Sequence, residues 1–527
     1  MRYGLSVTLG AVAWASASSA KDIFEPADFN VTEALIANGV ILSDIPGLSG
    51  LVERSSSPCS IACHSLEVVF GRQKAIIGQH PSYWSNQQNE TQPFCTFTPT
   101  TTLEVSTLVL LSRLTKCPFA VKSGGHAAFA GASSIKDGIN VDLAGLRTLS
   151  LSKDKKTVAV GPSHIWYDVY QYLDPYQLAV VGGRGASVGV GGLTLGGGVS
   201  HHTNKYGLAC DNVASYEVVT ASGLIVTASP KSFPDLYWAL RGGGNNFGIV
   251  TSFNYETISQ GPMWGGFRMH LDTEIPALIN AFVNTTRNAV SDPEAAHTLS
   301  FSAYEGLKMA FTELEYTTPI DKANPPAILK DYLAIPTVRD DTTNSSLVDL
   351  TPHMSADMPP GFRTSMWSAS FKLDTTLIGD MIDSFFEVAP NFPAVSVSVA
   401  FQAFSVPALR AMQNKGGNAL GLKPENGPFF HILFYMAWDE TSDDTTMMKG
   451  AHDYIAAVTE LAKERGLDND YIYMPYASGY QSVVPGYGAE NQQRLKTTSK
   501  KYDPTGVFQN LQPGWFKLDG APFSENF

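Results

Sequence analysis

Basic side chains are in short supply in this chain of 527 residues: 36 Lys and Arg stand against 49 Asp and Glu, a formal net charge of −13. A nucleic-acid partner wants a basic face, so that class is excluded. Long apolar runs are missing too. The run near the start, Leu5 to Trp14, is well short of the roughly 20 residues that span a bilayer. No membrane segment is expected, and the mature chain should be soluble. There is no internal repeat and no low-complexity tail. What the chain does have is apolar mass: 44% hydrophobic and 11% aromatic residues supply an ample core and exclude a disordered or fibrous protein. The length fits one large two-lobed enzyme or three small domains.

The first residues read as an address. Met1-Arg2 is basic, Leu5 to Trp14 is apolar, and Ala15 to Ala20 is small before Lys21-Asp22. That order predicts a secretory signal peptide cut near Ala20, and so a secreted protein. Four N-glycosylation sequons agree, at Asn30, Asn89, Asn284 and Asn344. The five cysteines are Cys59, Cys63, Cys95, Cys117 and Cys210. In an oxidising compartment the first four have the number for two disulfides, whose pairing the sequence leaves open. Cys210 reads as a buried free thiol.

Texture divides the chain. Residues 21–90 carry helical stretches such as Asp28 to Asn38, broken by a Ser/Pro-rich piece at Arg54 to Pro58. From 91 to 260 short β-branched runs alternate with turns and helices. Thr102 to Leu114 reads as a helix, and Phe119 to Lys122 as a strand leading into Ser123-Gly124-Gly125-His126. After Gly261-Pro262 the glycine tracts stop, longer helices such as Ile275 to Ala289 and Met447 to Arg465 appear, and a boundary is placed there. A turn-rich texture returns over 470–527.

Glycine marks the chemistry. Gly182 to Gly198 holds two dense clusters, and Arg241 to Gly248 holds a third. Only a residue without Cβ lets backbone amides approach an anion such as a pyrophosphate this closely. The tracts lack the Gly-Lys-Ser/Thr ending of a phosphate loop and the acidic partner of a dinucleotide fingerprint. Adjacent His201 and His202 suggest a metal pair, but neighbours on a strand face opposite ways and no carboxylate motif accompanies them, so no metal is expected.

The order of motifs says more than any one of them. Lys122-Ser123-Gly124-Gly125-His126 comes first, then Val188-Gly189-Val190-Gly191-Gly192 with Gly196-Gly197-Gly198. Tyr206 to Val213 and Arg241 to Thr251 follow, and Lys501-Tyr502-Asp503-Pro504 closes the series. This closely resembles the FAD-linked oxidases of the berberine bridge enzyme type, within the vanillyl-alcohol oxidase and p-cresol methylhydroxylase superfamily, and their fungal secreted members in particular. The resemblance covers about 60–260 and 470–518.

It implies an α+β fold in two lobes. A two-subdomain FAD-binding lobe would be built from 21–90, 91–260 and 470–527, and an antiparallel-sheet substrate lobe from 261–469. It implies FAD bonded covalently to His126, with Ser123, Gly124 and Gly125 around the pyrophosphate. Ser187, Val188, Gly189, Gly191, Gly192, Gly196 and Gly197 would line the dinucleotide, and Ile249 and Val250 would lie near the adenine end. Some relatives add a second bond to a cysteine within the segment that here reads Arg184 to Gly189. No thiol stands there, so a single covalent bond is expected.

The reaction implied is hydride transfer from a small secondary metabolite (alcohol, amine or activated C–H, with ring closure included) to FAD, with O₂ as acceptor. A proton acceptor is needed as well. The family's Tyr-x-Asn-Tyr pattern reads Tyr473-Met474-Pro475-Tyr476 here, which makes Tyr476 the candidate, with Tyr473, Tyr480 and Tyr435 as alternatives. Two rival readings stand beside this one. A carbohydrate oxidase is disfavoured by the missing second thiol. A non-catalytic flavin-containing extracellular protein is disfavoured by the intact Ser-Gly-Gly-His turn.

Overall fold

The computed structural model describes residues 24–45, 57–304, 307–356 and 358–524. The expected signal peptide, residues 1–20, lies outside the described residues, as does most of the Ser/Pro-rich piece.

Three sheets follow one another along the chain. The first holds β1 (Ala75–Ile77), β2 (Cys95–Phe97), β3 (Phe119–Lys122) and β4 (Ile139–Asp142) in the order β1-β2-β4-β3. β2 and β3 run parallel to β4. The helix Thr102–Thr115 forms because Thr101 caps it, accepting from the Glu104 N–H, and because Val105, Leu108, Val109 and Leu111 recur on a buried face. Its end is a left-handed residue, Lys116.

The second sheet contains β5 (Leu149–Leu151), β6 (Thr157–Val160), β7 (Leu178–Val180), β8 (Val213–Val219), β9 (Ile225–Ala228) and β10 (Ile249–Ser259). Its order is β5-β6-β10-β8-β9, with β7 also on β10. β10 starts at Ile249, just after Gly248 at φ +152°, and runs for 11 residues.

The third sheet is large and antiparallel. It comprises β11 (Met263–Leu271), β12 (Ala295–Tyr304), β13 (Leu307–Tyr316), β14 (Arg339–Asp340), β15 (Thr343–Ser345), β16 (Arg363–Lys372), β17 (Ser396–Phe404), β18 (Phe429–Trp438) and β19 (Asp468–Asn469). One face carries Phe301, Phe401, Phe430 and Ile432 onto the helices Ile275–Asn288, Thr375–Val388 and Asp444–Glu464. Such a face reads as alternating apolar residues, since strand side chains point to opposite sides in turn. The opposite face looks toward the glycine-rich lobe. The fold is thus mixed helix and sheet with an antiparallel sheet covering one lobe.

The last residues turn back. Trp515 stacks on Phe129 at 5.8 Å, and Asn245 donates to the Gly514 carbonyl. Disulfides join Cys59 to Cys117 and Cys63 to Cys95, and Cys210 is a buried free thiol. Of the sequon asparagines, Asn30, Asn284 and Asn344 are exposed. Asn89 turns its amide inward and donates to the Tyr83 carbonyl at 3.2 Å.

Candidate active site

The strand β3 ends by delivering Ser123 to His126 into a cleft between the glycine-rich lobe and the third sheet. The cleft encloses about 1540 Å³, its open mouth included. Its glycine wall is built by two backbones in contact. A Cβ on Gly124 would stand 2.5 Å from the Gly189 Cα, and one on Gly189 would stand 2.6 Å from the Gly124 Cα. A Cβ on Gly191 would meet the Ser123 Oγ at 2.7 Å. Ser123 accepts from the Gly191 N–H and donates to the Pro162 carbonyl, which locks the two segments together. Side chains are excluded here by geometry, and the exclusion leaves a bare peptide surface facing a large cavity.

Ser123, Gly124, Gly125 and His126 line the cavity, as do Ser187, Val188, Gly189, Gly191 and Gly192. Ile249, Val250 and Tyr476 do so too. Gly196 and Gly197 do not. Gly196 packs against Pro475, and Gly197 sits between Leu208 and Leu420 at φ +114°. Their glycines serve a tight turn and close packing rather than the cavity wall.

His126 lies flat against Trp84, with ring centroids 4.4 Å apart and planes 11° apart. Its Nε2 is 3.3 Å from the Ser187 Oγ. Burial pushes its pKa down to about 4, so the imidazole is neutral near pH 7 and keeps a lone pair. Trp84 is held in turn by donating from its indole nitrogen to the Met358 carbonyl.

The third sheet supplies the opposite wall. Its register aligns Glu313 with Thr298, Thr298 with Gln402, Gln402 with His431 and His431 with Ser370. That is one polar row across five strands, and every member is buried. Arg184 enters it from the glycine lobe. It donates to the Thr298 Oγ1 at 2.9 Å, to the Gln402 Oε1 at 2.6 Å and to the Tyr476 hydroxyl oxygen at 3.0 Å. Tyr476 is the one tyrosine of the four candidates whose hydroxyl meets this row and which lines the cavity with a half-buried ring. Tyr473 also lines the cavity, but its hydroxyl accepts from the Val199 N–H. Tyr480 stacks on Trp367, and Tyr435 buries a hydroxyl that has no hydrogen-bond partner.

His201 and His202 correct the sequence reading. They stand in a turn before the helix Thr203–Tyr206 rather than on a strand, and both are buried. Carboxylates do accompany one of them. The His201 Nδ1 is 3.5 Å from the Glu315 Oε2, and His201, Glu313 and Glu315 hold ligand-type atoms within 4.8 Å of one another. Arg184 already brings positive charge to that group, 3.9 Å from the Glu313 Oε2. Burial pushes both carboxyls up, Glu313 to about 8 and Glu315 to about 7. Burial pushes His201 down to about 4 and His431 to about 3.

Sequence reasoning assigned no role to Arg184, Trp84, Gln402, Glu313 or Glu315. The one available signal was the Glu-x-Glu spacing within the strand segment Phe311 to Tyr316.

A bare glycine wall, a neutral histidine and a deep interlobe cleft define a protein that holds a nucleotide cofactor against a substrate chamber. The comparisons say which cofactor. Residues 93–229 match the family model described as an FAD binding domain. An FAD-dependent monooxygenase, tpcD, of Cochliobolus heterostrophus is 36% identical, over 83% of this chain and 87% of its own length. The FAD-dependent monooxygenase FUP4 of Fusarium proliferatum is 34% identical, over 92% of this chain and 99% of its own. Among solved structures, 6-hydroxy-D-nicotine oxidase from Arthrobacter nicotinovorans superposes with a TM-score of 0.70 at 19% identity, over 85% and 97% of the two chains. Xylooligosaccharide oxidase from Myceliophthora thermophila does so at 0.69 and 20%, over 94% and 99%. The chain belongs to the family of the fungal FAD-dependent monooxygenases, FAD-dependent oxidoreductases, and it shares its fold with solved flavoproteins of the berberine bridge enzyme type.

Proposed function

We propose that the protein is a secreted oxidase that carries FAD on His126 and oxidises a small secondary metabolite at an alcohol, amine or activated C–H, ring closure included, with O₂ as the electron acceptor. The observation that carries this reading is the pairing of His126 with the glycine wall. A neutral imidazole stands in the cavity beside a surface on which Cβ atoms have no room. Those residues fit the group: Gly124, Gly125, Gly189 and Gly191 offer peptide to a pyrophosphate, and His126 offers an unprotonated nitrogen for one covalent bond. When bound, the flavin supplies a two-electron acceptor for hydride. Domain boundaries near 90, 260 and 470 go with this reading, as does a signal peptide cut near Ala20.

The chain's own residues orient and shield. Trp84 keeps the His126 ring in one plane. Met358 and Met366 make part of the cavity wall apolar, which suits an apolar or aromatic metabolite better than a sugar. Tyr476, held by Arg184 and Gln402, is the hydroxyl placed to exchange a proton with the substrate. The overall balance is substrate-H₂ plus O₂ giving oxidised substrate plus H₂O₂.

Secretion is supported by the two disulfides. No helix among the described residues is long and apolar enough to cross a membrane.

The names of the curated relatives favour a second reading, insertion of oxygen into the substrate. One experiment separates the two. The purified protein is acid-precipitated to see whether yellow colour stays in the pellet, then turned over under ¹⁸O₂ with peroxide measured. Colour in the pellet and one H₂O₂ per turnover support the oxidase, whereas ¹⁸O in the product and no peroxide support the monooxygenase. A colourless protein overturns both.

A further inference from the structure

Behind Tyr476 lies a set of buried charges that the oxidation does not by itself require. Arg184 comes from the glycine-rich lobe. Glu313 and Glu315 come from β13, two positions apart, so both leave the same face of the strand. Their exposures are 7%, 4% and 4%. Two carboxylates and one guanidinium would leave a negative charge uncompensated in a water-poor place. Like charges this close do not both ionise readily, so the pair retains a proton. The Glu313 Oε2 has no hydrogen-bond partner, and Arg184 stands 3.9 Å away, too far for one. The guanidinium is instead engaged with Thr298, Gln402 and Tyr476.

The Tyr476 oxygen accepts from the Arg184 Nη2 at 3.0 Å and from the Gln402 Nε2 at 3.3 Å. With two N–H groups pointing into that oxygen, the phenol's own hydrogen is left the cavity side. This is a fixed orientation imposed by one donor from the glycine-rich lobe and one from the third sheet.

We propose that Arg184 is a positioning residue for the reaction, holding the Tyr476 oxygen in the cavity wall, and that the Glu313–Glu315 pair is a charge switch acting on Arg184. The proposal rests on the cavity being the site of oxidation. While the pair keeps its proton, the charge of Arg184 is directed at Tyr476. As the pair ionises, Glu313 competes for the guanidinium, and the hold on Tyr476 loosens.

The other titratable groups here do not mimic the switch. Tyr473 meets the Tyr476 ring edge-on at 4.8 Å, and burial raises its pKa. His431 lies 5.8 Å from that ring, and His201 faces Glu315. Burial keeps both histidines neutral. Burial raises the carboxyls instead, which puts the switch at and above neutrality.

The test places tyrosine labelled with ¹³C at Cζ at position 476 in the flavin-loaded protein and follows its ¹³C resonance from about pH 6 to about pH 9, a window that spans the raised carboxyls. The native protein should show one titration step. Glu313→Gln and Glu315→Gln, both near-isosteric, should abolish or displace it. Arg184→Met should move the resonance at every pH and remove the step, and Arg184→Lys should keep a weaker one. With any substrate found, Arg184→Met should slow anaerobic flavin reduction tenfold or more, and the Glu→Gln variants should lose the alkaline decline in rate. A step unchanged in both Glu→Gln variants overturns the switch. So does a stoichiometric divalent metal on His201, Glu313 and Glu315 in the same samples. The resonance needs no turnover, so a protein that oxidises nothing would sink the oxidase reading while the titration step still stood or fell separately.

Discussion

The Trp84 indole lies almost parallel to the His126 imidazole, 4.4 Å away. The stack fixes the ring plane of the histidine proposed to hold FAD, and it ties that ring to Met358 of the substrate lobe through the indole N–H. His126→Ala should therefore lose acid-stable flavin completely. Trp84→Ala should fold less stably, by about 3–5 kcal/mol for loss of a buried tryptophan, and should attach flavin more slowly. Absorbance of the acid-precipitated pellet reads both. Acid-stable flavin in His126→Ala would sink the assignment.

The glycine wall gives a graded prediction. Gly124→Ala and Gly189→Ala each force a Cβ to within 2.6 Å or less of a facing backbone Cα. Neither backbone can give way without parting the two segments, so a cost of about 1–3 kcal/mol or more is expected together with weakened flavin binding. Gly192→Ala is the control for packing, since no protein atom lies within 4 Å of the added methyl. Thermal unfolding midpoints of the three variants settle it, with flavin content read alongside for Gly124→Ala and Gly189→Ala. An equal drop in midpoint in Gly192→Ala would mean that the close approach is not what matters.

Stability should fall on both sides of a maximum at about pH 6–7. Burial lowers His201 to about 4 and His202, His297 and His431 to about 3. Below the unfolded value of about 6.5 the unfolded chain binds more protons, so stability is complete above that value and is lost as pH falls. Glu313 and Glu315 act in the opposite sense. Their folded pKa values are raised, to about 8 and about 7, so the folded state holds the extra proton and stability declines as pH rises from about 4.5 through those values. Unfolding midpoints against pH should show the dome, and Glu313→Gln should flatten its alkaline side.

The disulfides cross-link one small region. Cys59–Cys117 spans 58 residues and Cys63–Cys95 spans 32. Loop-closure entropy puts the stabilisation from each at about 4 kcal/mol. Cys63→Ser/Cys95→Ser should lower the unfolding midpoint without changing the flavin spectrum of the folded protein, because the cleft is lined from elsewhere. A changed spectrum would show that the disulfide region shapes the cofactor site.

Much of this fold was legible in the sequence wherever the cause is local. The helix over Thr102–Thr115 follows from its cap and apolar period. The strand over Phe119–Lys122 and its Ser-Gly-Gly-His turn lie where the pattern put them, and Val121 and Ser123 to His126 line the cleft. Gly196 and Gly197 lie off the cavity wall, because a glycine records that space is short without saying what occupies it. His201 was misread for a similar reason. Its carboxylate neighbours lie more than a hundred residues downstream and reach it only through the register of β13.

What the sequence determined by itself is the local make-up of the glycine-rich wall. The strand-to-turn transition into Ser123–His126 acts within a few residues, where backbone geometry alone decides the outcome, whereas the contact of Gly124 with Gly189 is already tertiary. The tertiary structure decided the substrate end. Arg184 meets Thr298, Gln402 and Tyr476 across 114, 218 and 292 residues of chain. It also chose one disulfide pairing among those the sequence left open. Contacts of that span depend on how two lobes dock and how five strands align, and no local pattern in the sequence carries that information.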